Sequence, residues 1–349
     1  MLGSVSGLGQ PLKPKKPTMN LEYVGCYYSQ QLKVYVQGDL EERRGKAVFM
    51  SVHDVGTNHH SIESFVNDEH MKEVRKKSIW LHVCLPGQDD NSELLPDTYE
   101  YPSMDGVAHD LLYVLEHFDL RTVIGFGEGA GANILTRFGL YYPNRVLGLL
   151  LIDCTSSTAG LDEHIKLTVF NWKEGGTKLA DKLVKYLTYH KSGYTGGSKE
   201  NWKQRSICSE NLCRYLEAYL KRTDISKLIA TSLKVDALLV NGSRAPNVGS
   251  TYAVNRLNSA CTTVVIVDGV GDTLVHAPMN LARALILFCK GCGVLLSVPM
   301  IGLEKEFKAI NRKKFPPSVT EQSIAKALLD CERQQHRVYD ENDVTQPRS

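Results

Sequence analysis

The chain has 349 residues, of which 42% are hydrophobic, and its formal net charge is +2. This length fits one large α/β domain with an inserted subdomain or two small domains, and the composition is ordinary for a globular protein with a sizeable core. The small net charge argues against bulk electrostatic binding of nucleic acid, and no apolar run reaches the roughly 20 residues of a transmembrane helix.

The N-terminal segment carries no recognisable targeting signal. Residues 1–19 are rich in glycine, proline and lysine and lack the apolar segment of a signal peptide. We therefore expect a flexible N-terminal arm here and a cytoplasmic protein. The lysines between residues 13 and 16 could touch an anionic membrane, but their proline neighbours favour a solvated arm.

The nine cysteines are an odd number without a secretory context, so we expect reduced thiols. Cys289 and Cys292 form a C-x-x-C motif, and Cys208 and Cys213 form a wider pair. Neither pair has the second pair of ligands that a structural zinc site needs. We expect structural cysteines, and neither a metal nor another cofactor.

The first half of the chain alternates short apolar runs with helical patterns. A helix is predicted over residues 61–76, and Ser103 can cap a second helix that ends near His117. Strands are predicted at residues 21–28, 32–36, 46–52 and 78–84, the first two as a hairpin.

The most informative stretch runs from residue 123 to residue 152. It predicts a strand at 123–126, a glycine-dense turn at 127–131, a helix at 132–142 and a strand at 146–152. Strand and helix alternate, which indicates a parallel sheet with crossover helices and therefore an α/β fold.

The pattern changes over residues 156–230, where polar helical segments such as 178–189 and 210–222 replace buried strands. We interpret this region as a helical cap inserted into an α/β core formed by residues 20–155 and 231–295. The core resumes with strands at 237–240 and 263–267 and an amphipathic helix at 279–289.

Residues 296–349 are interpreted as a C-terminal extension. Ser318 and Glu321 form a capping box before a short helix predicted at 319–332, and the polar tail beyond it is expected to be disordered.

The glycine-dense turn fits the position of the nucleophile in an α/β-hydrolase. These enzymes place it in G-x-S-x-G on a sharp turn between a strand and a helix. Here the motif falls on residues 127–131, so Gly129 takes the nucleophile position. Glycine has no side chain that could attack a carbonyl, which excludes covalent acyl transfer by this route.

The two other triad positions are also occupied by unsuitable residues. The acid is expected after the strand at 237–240, where Ala245 stands, and the histidine after the last strand, where Asp272 stands. His276 is the one imidazole nearby, and we interpret it as a surface or helix-start residue rather than a displaced base. The sequence therefore predicts a degenerate triad and no enzyme activity.

Residues around these positions form a predicted vestigial pocket. The run from His53 to Gly56 follows the strand at 46–52, where hydrolases place an oxyanion loop, and we interpret it as a tight turn. Glu128 could activate a water, but we expect it to point to solvent. The pocket comprises His53, Asp54, Gly56, Glu128, Gly129, Ala130 and Asp153.

Several motifs in chain order carry a resemblance to the N-myc downstream-regulated (NDRG) family over residues 20–300. The Gly-Leu-Leu-Leu-Ile-Asp run at 148–153 and the Ala-Pro at 245–246 also fit. The main segments are His53-Asp54-x-Gly56-x-Asn58-His59, Pro86-Gly87-Gln88, Tyr99-x-Tyr101-Pro102-Ser103-Met104-Asp105 and Ile124-Gly125-x-Gly127-x-Gly129-Ala130-Gly131-Ala132.

The resemblance implies an α/β-hydrolase fold without hydrolase activity and a role as a cytoplasmic adaptor in signal transduction, stress response and differentiation. Its partners would be other proteins, and the vestigial pocket could be filled by side chains or hold a small apolar ligand. The tail at 333–349 has one Thr and one Ser, so it differs from the phosphorylated tail of several family members.

Two rival functions remain open on the sequence. The glycines at 125, 127 and 129 resemble a dinucleotide fingerprint, with Asp153 as the ribose-binding acid, although several strands precede them. Alternatively, Glu128 or Asp153 could act with His276 and a water in a weak hydrolase.

Overall fold

The computed structural model describes residues 19–160 and 207–302. The chain divides into two compact units, Met1–Val298 and Pro299–Ser349, and of the second unit only residues 299–302 are described. The predicted helices at 178–189 and 319–332, most of the predicted cap and nearly all of the N-terminal arm lie outside the described residues.

One sheet of eight strands, in the order β1-β2-β4-β3-β5-β6-β7-β8, forms the framework of the first unit. Strands β1, β2 and β4 pair in antiparallel fashion, and every pair from β4 through β3 to β8 is parallel. The strands are β1 (Met19–Gly25), β2 (Gln31–Gln37), β3 (Ala47–Val52), β4 (Ser78–Cys84), β5 (Val123–Glu128), β6 (Val146–Ile152), β7 (Ala237–Gly242) and β8 (Thr262–Val267).

Helices follow most of the parallel strands, as crossover connections require. The predicted α/β fold with a mostly parallel sheet is therefore confirmed. The helices are α1 (His59–Val66), α2 (Lys72–Lys76), α3 (Met104–His117), α4 (Ala130–Tyr141), α5 (Ser209–Leu220), α6 (Ser226–Ser232), α7 (Val248–Leu257), α8 (Thr273–His276) and α9 (Pro278–Gly291).

The helix predicted over residues 61–76 is divided into separate segments. Asn58 caps α1 by accepting a hydrogen bond from the His60 N–H, and the helix ends before Asn67. Asp68 then caps a short 3-10 turn that leads into α2. The Asp68 side chain bonds the local backbone and so competes with the hydrogen bonds of a continuous helix. The predicted helix is therefore broken, although its apolar residues follow one helical pattern.

The centre of the sheet is buried on both faces. All residues of β4 and β5 are buried, because helices cover a parallel sheet from both sides. The described cysteines, including Cys289 and Cys292, are free thiols. None of the helices among the described residues is long and apolar enough to cross a bilayer.

A buried arginine ties the helix that follows β5 to its surroundings. Arg137 is fully buried on α4, and its guanidinium contacts the Asp105 carboxylate at 2.5 Å. It also donates to the Thr223 hydroxyl at 2.8 Å and to the Thr223 carbonyl at 2.6 Å, while its Nε bonds Asn133 Oδ1 at 3.0 Å. Burial would raise the pKa of Asp105, but hydrogen bonds from Tyr141 and Arg137 hold it below its ordinary value.

Because losing the buried Arg137 deprives Asp105 and the Thr223 carbonyl of this donor, Arg137→Met should lower the free energy of unfolding by about 1–3 kcal/mol. The control is Lys221→Met, which removes an exposed pair with Glu217 and should leave stability close to wild type. Urea denaturation measures both. Equal midpoints for the two variants would show that the Arg137 network does not hold α4 in place.

Candidate functional site at the turn after the fifth strand

The chain turns sharply between β5 and α4, and the residue at the turn is Gly129. Its backbone has φ 55° and ψ −114°, a conformation that residues other than glycine rarely adopt. The Gly129 N–H donates to the Ile152 carbonyl at 2.9 Å, which fixes the turn to the end of β6. A strained strand-to-helix turn of this kind is where α/β-hydrolases hold their nucleophile.

Close packing of α4 against β3 requires a second glycine. A Cβ atom added at Gly131 would lie 2.1 Å from the Val52 carbonyl oxygen and 2.7 Å from the His53 carbonyl oxygen. Both contacts are with backbone, which cannot swing away. The glycine therefore sets how near α4 comes to the end of β3.

The space that a nucleophile would occupy is filled by Asp54. A Cβ atom at Gly129 would lie 2.1 Å from Asp54 Oδ1 and 2.2 Å from the carboxyl carbon. The same oxygen accepts hydrogen bonds from the Val55 N–H at 2.7 Å and from the Ala130 N–H at 2.8 Å. Any side chain at position 129 would therefore have to push the Asp54 carboxylate away from the two N–H donors.

Val55 and Ala130 occupy the positions of oxyanion-hole donors. In α/β-hydrolases these donors are the N–H of the residue after the nucleophile and an N–H from the loop after β3. Here both point at a carboxylate of the protein itself, at the positive end of the α4 helix dipole. Gly129 has no side chain to cap α4, and Asp54 supplies that cap from the other loop.

His53 performs a structural role beside this turn. It is fully buried, its Nδ1 lies 2.8 Å from the Asp54 carbonyl, and its Nε2 accepts the Leu85 N–H at 3.1 Å. Nε2 must carry a lone pair to accept that bond, so the proton is on Nδ1 and is donated to the carbonyl. The ring therefore links the loop after β3 to the end of β4.

Two tyrosines cover this part of the molecule. Tyr215, fully buried on α5, donates its hydroxyl to the His53 carbonyl at 3.3 Å, and its ring is roughly perpendicular to the His53 ring. Tyr101 stacks on Tyr215 with ring centroids 5.7 Å apart. Burial raises the pKa of both phenols well above the ordinary value. Helix α5 thus places Tyr215 over the loop that carries His53 and Asp54, and Tyr101 packs against the Tyr215 ring.

The prediction that Glu128 points to solvent is wrong. Its side chain is only 2% exposed, because Glu128 ends a central parallel strand that is covered on both faces. Glu128 pairs with Ile152 in the sheet, and Asp153 directly follows Ile152. The two acids therefore lie near each other at the end of these strands. Asp153 is also buried and has a left-handed backbone with φ 55°.

The two other degenerate triad positions lie at the same edge of the sheet, on the loops after β7 and β8. Ala245 is buried, and Asp272 caps α8 by accepting a hydrogen bond from the Val275 N–H at 3.1 Å. His276 is the last residue of α8 and is exposed, with Nδ1 3.2 Å from the Asp272 carbonyl. Gly56 has φ 76°, as the predicted tight turn requires.

Neither the role of Asp54 nor the position of Tyr215 over the site was predicted from the sequence. Asp54 and Ala130 are 76 residues apart in the chain and meet only because β3 lies beside β5 in the sheet. The signal that could have found the pairing was the coincidence of an empty nucleophile position with an acid in the oxyanion loop.

Because the Gly131 Cβ would overlap backbone, Gly131→Ala should destabilise the fold by about 1–3 kcal/mol or more. Gly249→Ala is the matched control, since Gly249 also lies in a helix and an added Cβ would meet nothing within 4 Å. That control should be neutral or gain up to about 1 kcal/mol. Thermal unfolding measures both, and a neutral Gly131→Ala would contradict the packing described.

Removing the Asp54 carboxylate should cost about 1–2 kcal/mol, because two N–H donors lose their acceptor. A small carboxylate can replace it, so acetate should raise the melting temperature of Asp54→Ala more than chloride of equal concentration does. Wild type, with its donors already occupied, serves as the control and should respond equally to the two salts. If acetate has no specific effect on the variant, the two N–H groups do not form a carboxylate site.

Comparison with known proteins agrees with this geometry at the level of fold. The chain resembles an esterase from Thermogutta terrifontis at 15% identity and a TM-score of 0.61, covering 78% of this chain and 99% of the esterase. It resembles the esterase RhEst1 from a Rhodococcus species at 13% identity and a TM-score of 0.62, covering 78% and 99%. These similarities show the α/β-hydrolase fold.

The sequence relatives define the family. The chain is 45% identical over 281 residues to the Caenorhabditis elegans protein ZK1073.1, covering 79% of this chain and 86% of that protein. It is 32% identical over 271 residues to protein NDRG1-A of Xenopus laevis, covering 74% and 68%. The sequence profile of the Ndr family matches residues 28–296. The chain therefore belongs to the Ndr family.

Proposed function

We propose that this protein is a cytoplasmic adaptor that keeps the α/β-hydrolase fold but catalyses no hydrolysis. The observation that carries the proposal is the position of Asp54. Its Oδ1 accepts both N–H groups that would stabilise an oxyanion, and it leaves no room for a Cβ atom at Gly129. A substrate carbonyl would have to displace a hydrogen-bonded carboxylate and would then meet no nucleophile.

The other triad positions support the same conclusion. Ala245 has no acid to orient a histidine, and Asp272 is engaged in capping α8. The exposed His276 would have to act as the base of the weak-hydrolase alternative, but a base needs a third group to hold it in orientation. The buried acids Glu128 and Asp153 are the remaining candidates for activating a water.

We propose that the vestigial pocket is largely filled by the protein's own side chains. Tyr215 and Tyr101 pack over the loop that carries His53, so they restrict the access of a substrate to the turn after β5. A small apolar ligand beside these rings is the second occupant that the aromatic lining favours. Function in signal transduction, stress response and differentiation then depends on surfaces that bind other proteins.

The hydrolase question is tested with the purified full-length chain and a panel of esters of different acyl length, lactones and epoxides. We expect turnover no faster than in buffer. Turnover by wild type that is lost in Glu128→Gln or Asp153→Asn would establish the weak-hydrolase alternative and overturn the proposal. Lys221→Met serves as the control for purity, because contaminating hydrolase activity would be unchanged in all variants.

The adaptor role is tested by affinity capture from cytosol with wild type and with a folded Glu128→Gln variant. A protein that acts by binding should recover the same partners with both baits, since the substitution alters only a buried acid. Partner recovery that depends on Glu128 would indicate that the site works through chemistry. A thermal shift with nicotinamide dinucleotides that exceeds the shift with AMP would favour the dinucleotide alternative instead.

A further inference from the structure

A compact group of metal-binding side chain types lies where α1 begins and β4 ends. We call His59, Cys84 and Asp89 the His59 cluster. The three residues are 5%, 1% and 7% exposed, so the cluster is inside the protein. One ligand atom from each lies within 4.8 Å of the others. Nothing in the turn after β5 uses these side chains.

The cluster contains a buried polar atom without a hydrogen-bond partner, His59 Nδ1. The Asp89 Oδ1 is 3.9 Å away, too far for a hydrogen bond, and the imidazole is fixed in place by stacking on Tyr35 with ring centroids 3.6 Å apart. An unsatisfied buried nitrogen destabilises the fold, so a group that binds it would be stabilising.

The distances suit a tetrahedral ion. With bonds of about 2.0–2.3 Å to nitrogen, oxygen and sulfur, neighbouring ligand atoms of zinc are roughly 3.5 Å apart. The 3.9 Å between His59 Nδ1 and Asp89 Oδ1 is close to that value. One ring nitrogen of His59, the Cys84 sulfur and an Asp89 oxygen lie within 4.8 Å of one another, so side-chain rotation would have to bring them closer around an ion.

The Asp89 carboxylate is oriented by neighbours in the manner of a metal ligand. Lys33 Nζ lies 2.7 Å from Oδ2, and the Tyr35 hydroxyl donates to Oδ1 at 2.8 Å. Each oxygen has two lone pairs, so these bonds leave acceptor capacity. The Cys84 thiol also interacts with this carboxylate. In metal sites, hydrogen bonds of this type orient the side chains that bind the metal directly.

We propose that the His59 cluster binds a thiolate-accepting divalent ion of the zinc class through His59 Nδ1, Cys84 Sγ and one oxygen of Asp89. Binding replaces the S–H bond of Cys84 with a sulfur–metal bond and releases one proton to solvent. Three protein ligands leave a fourth position, which water fills. No oxidation or reduction is involved.

The neighbouring His60 does not belong to this site. His60 and Glu63 form a second group with His59, but His60 Nδ1 already bonds Glu63 at 2.7 Å and the ring is half exposed. A lone exposed pair of this kind gives little affinity. Because His60 is exposed and already bonded whereas His59 is buried, a His60 substitution is the matched control for a His59 substitution.

The test is a cobalt titration of the full-length chain after removal of metal with EDTA and reduction of thiols. Cobalt bound to a thiolate gives a near-ultraviolet charge-transfer band, and tetrahedral cobalt gives strong visible bands. We expect one equivalent to produce both in wild type and zinc to displace it. A wild-type spectrum without a thiolate band would overturn the proposal.

The variants identify the ligands. Cys84→Ser should abolish the charge-transfer band, and His59→Gln and Asp89→Asn should weaken binding at least about tenfold, as loss of even outer-shell partners does. His60→Gln and Cys154→Ser should bind like wild type, because Cys154 is an equally buried thiol that contacts Thr136 instead.

Circular dichroism establishes that each variant is folded, and zinc-dependent thermal stabilisation gives a second readout that should fail in the ligand variants only. If Cys84→Ser does not fold, the two other ligand variants and the wild-type spectrum decide the matter. A band that persists in folded Cys84→Ser and His59→Gln would place the metal elsewhere and contradict the assignment. Failure here leaves the adaptor proposal untouched, because that proposal depends on the Asp54 contacts.

Discussion

Two backbone N–H groups, those of Val55 and Ala130, converge on one oxygen of Asp54, and the arrangement of the site depends on this interaction. It joins the loop after β3 to the first turn of α4 and gives an acceptor to an N–H group at the start of that helix, which has no partner within the helix. It also fills the volume next to Gly129, so the glycine and the aspartate are complementary. The glycine thus makes room for the Asp54 carboxylate as well as removing the nucleophile.

The surrounding sheet explains how this contact arises and why it is stable. Strand β3 lies between β4 and β5, which brings the carboxyl ends of these strands to one edge. His53 fixes the loop after β3 to the end of β4, and Gly131 lets α4 approach the end of β3. Arg137 anchors the same helix on its other side through Asp105. Hydrolases build an oxyanion site from these elements, whereas here the elements close around an internal carboxylate.

Much of the fold could be predicted from local patterns. Strand β4 and helix α3 have the predicted bounds, because a continuous apolar run and the Ser103 cap are signals contained in a few consecutive residues. The break at Asn67 and the burial of Glu128 were not predicted, because each depends on competition between a side chain and its surroundings. The Asp54 contact and the His59 cluster depend on strand order, which local patterns do not specify.

The most direct test of the central claim is a mass measurement on the Gly129→Ser variant after exposure to a fluorophosphonate, which labels activated serines. We predict no change of mass in the folded variant: the added side chain must move the Asp54 carboxylate aside, but no oriented imidazole is present to activate the introduced hydroxyl. A stoichiometric adduct on the introduced side chain would show that the donors are open and a base is in place, and it would contradict the account.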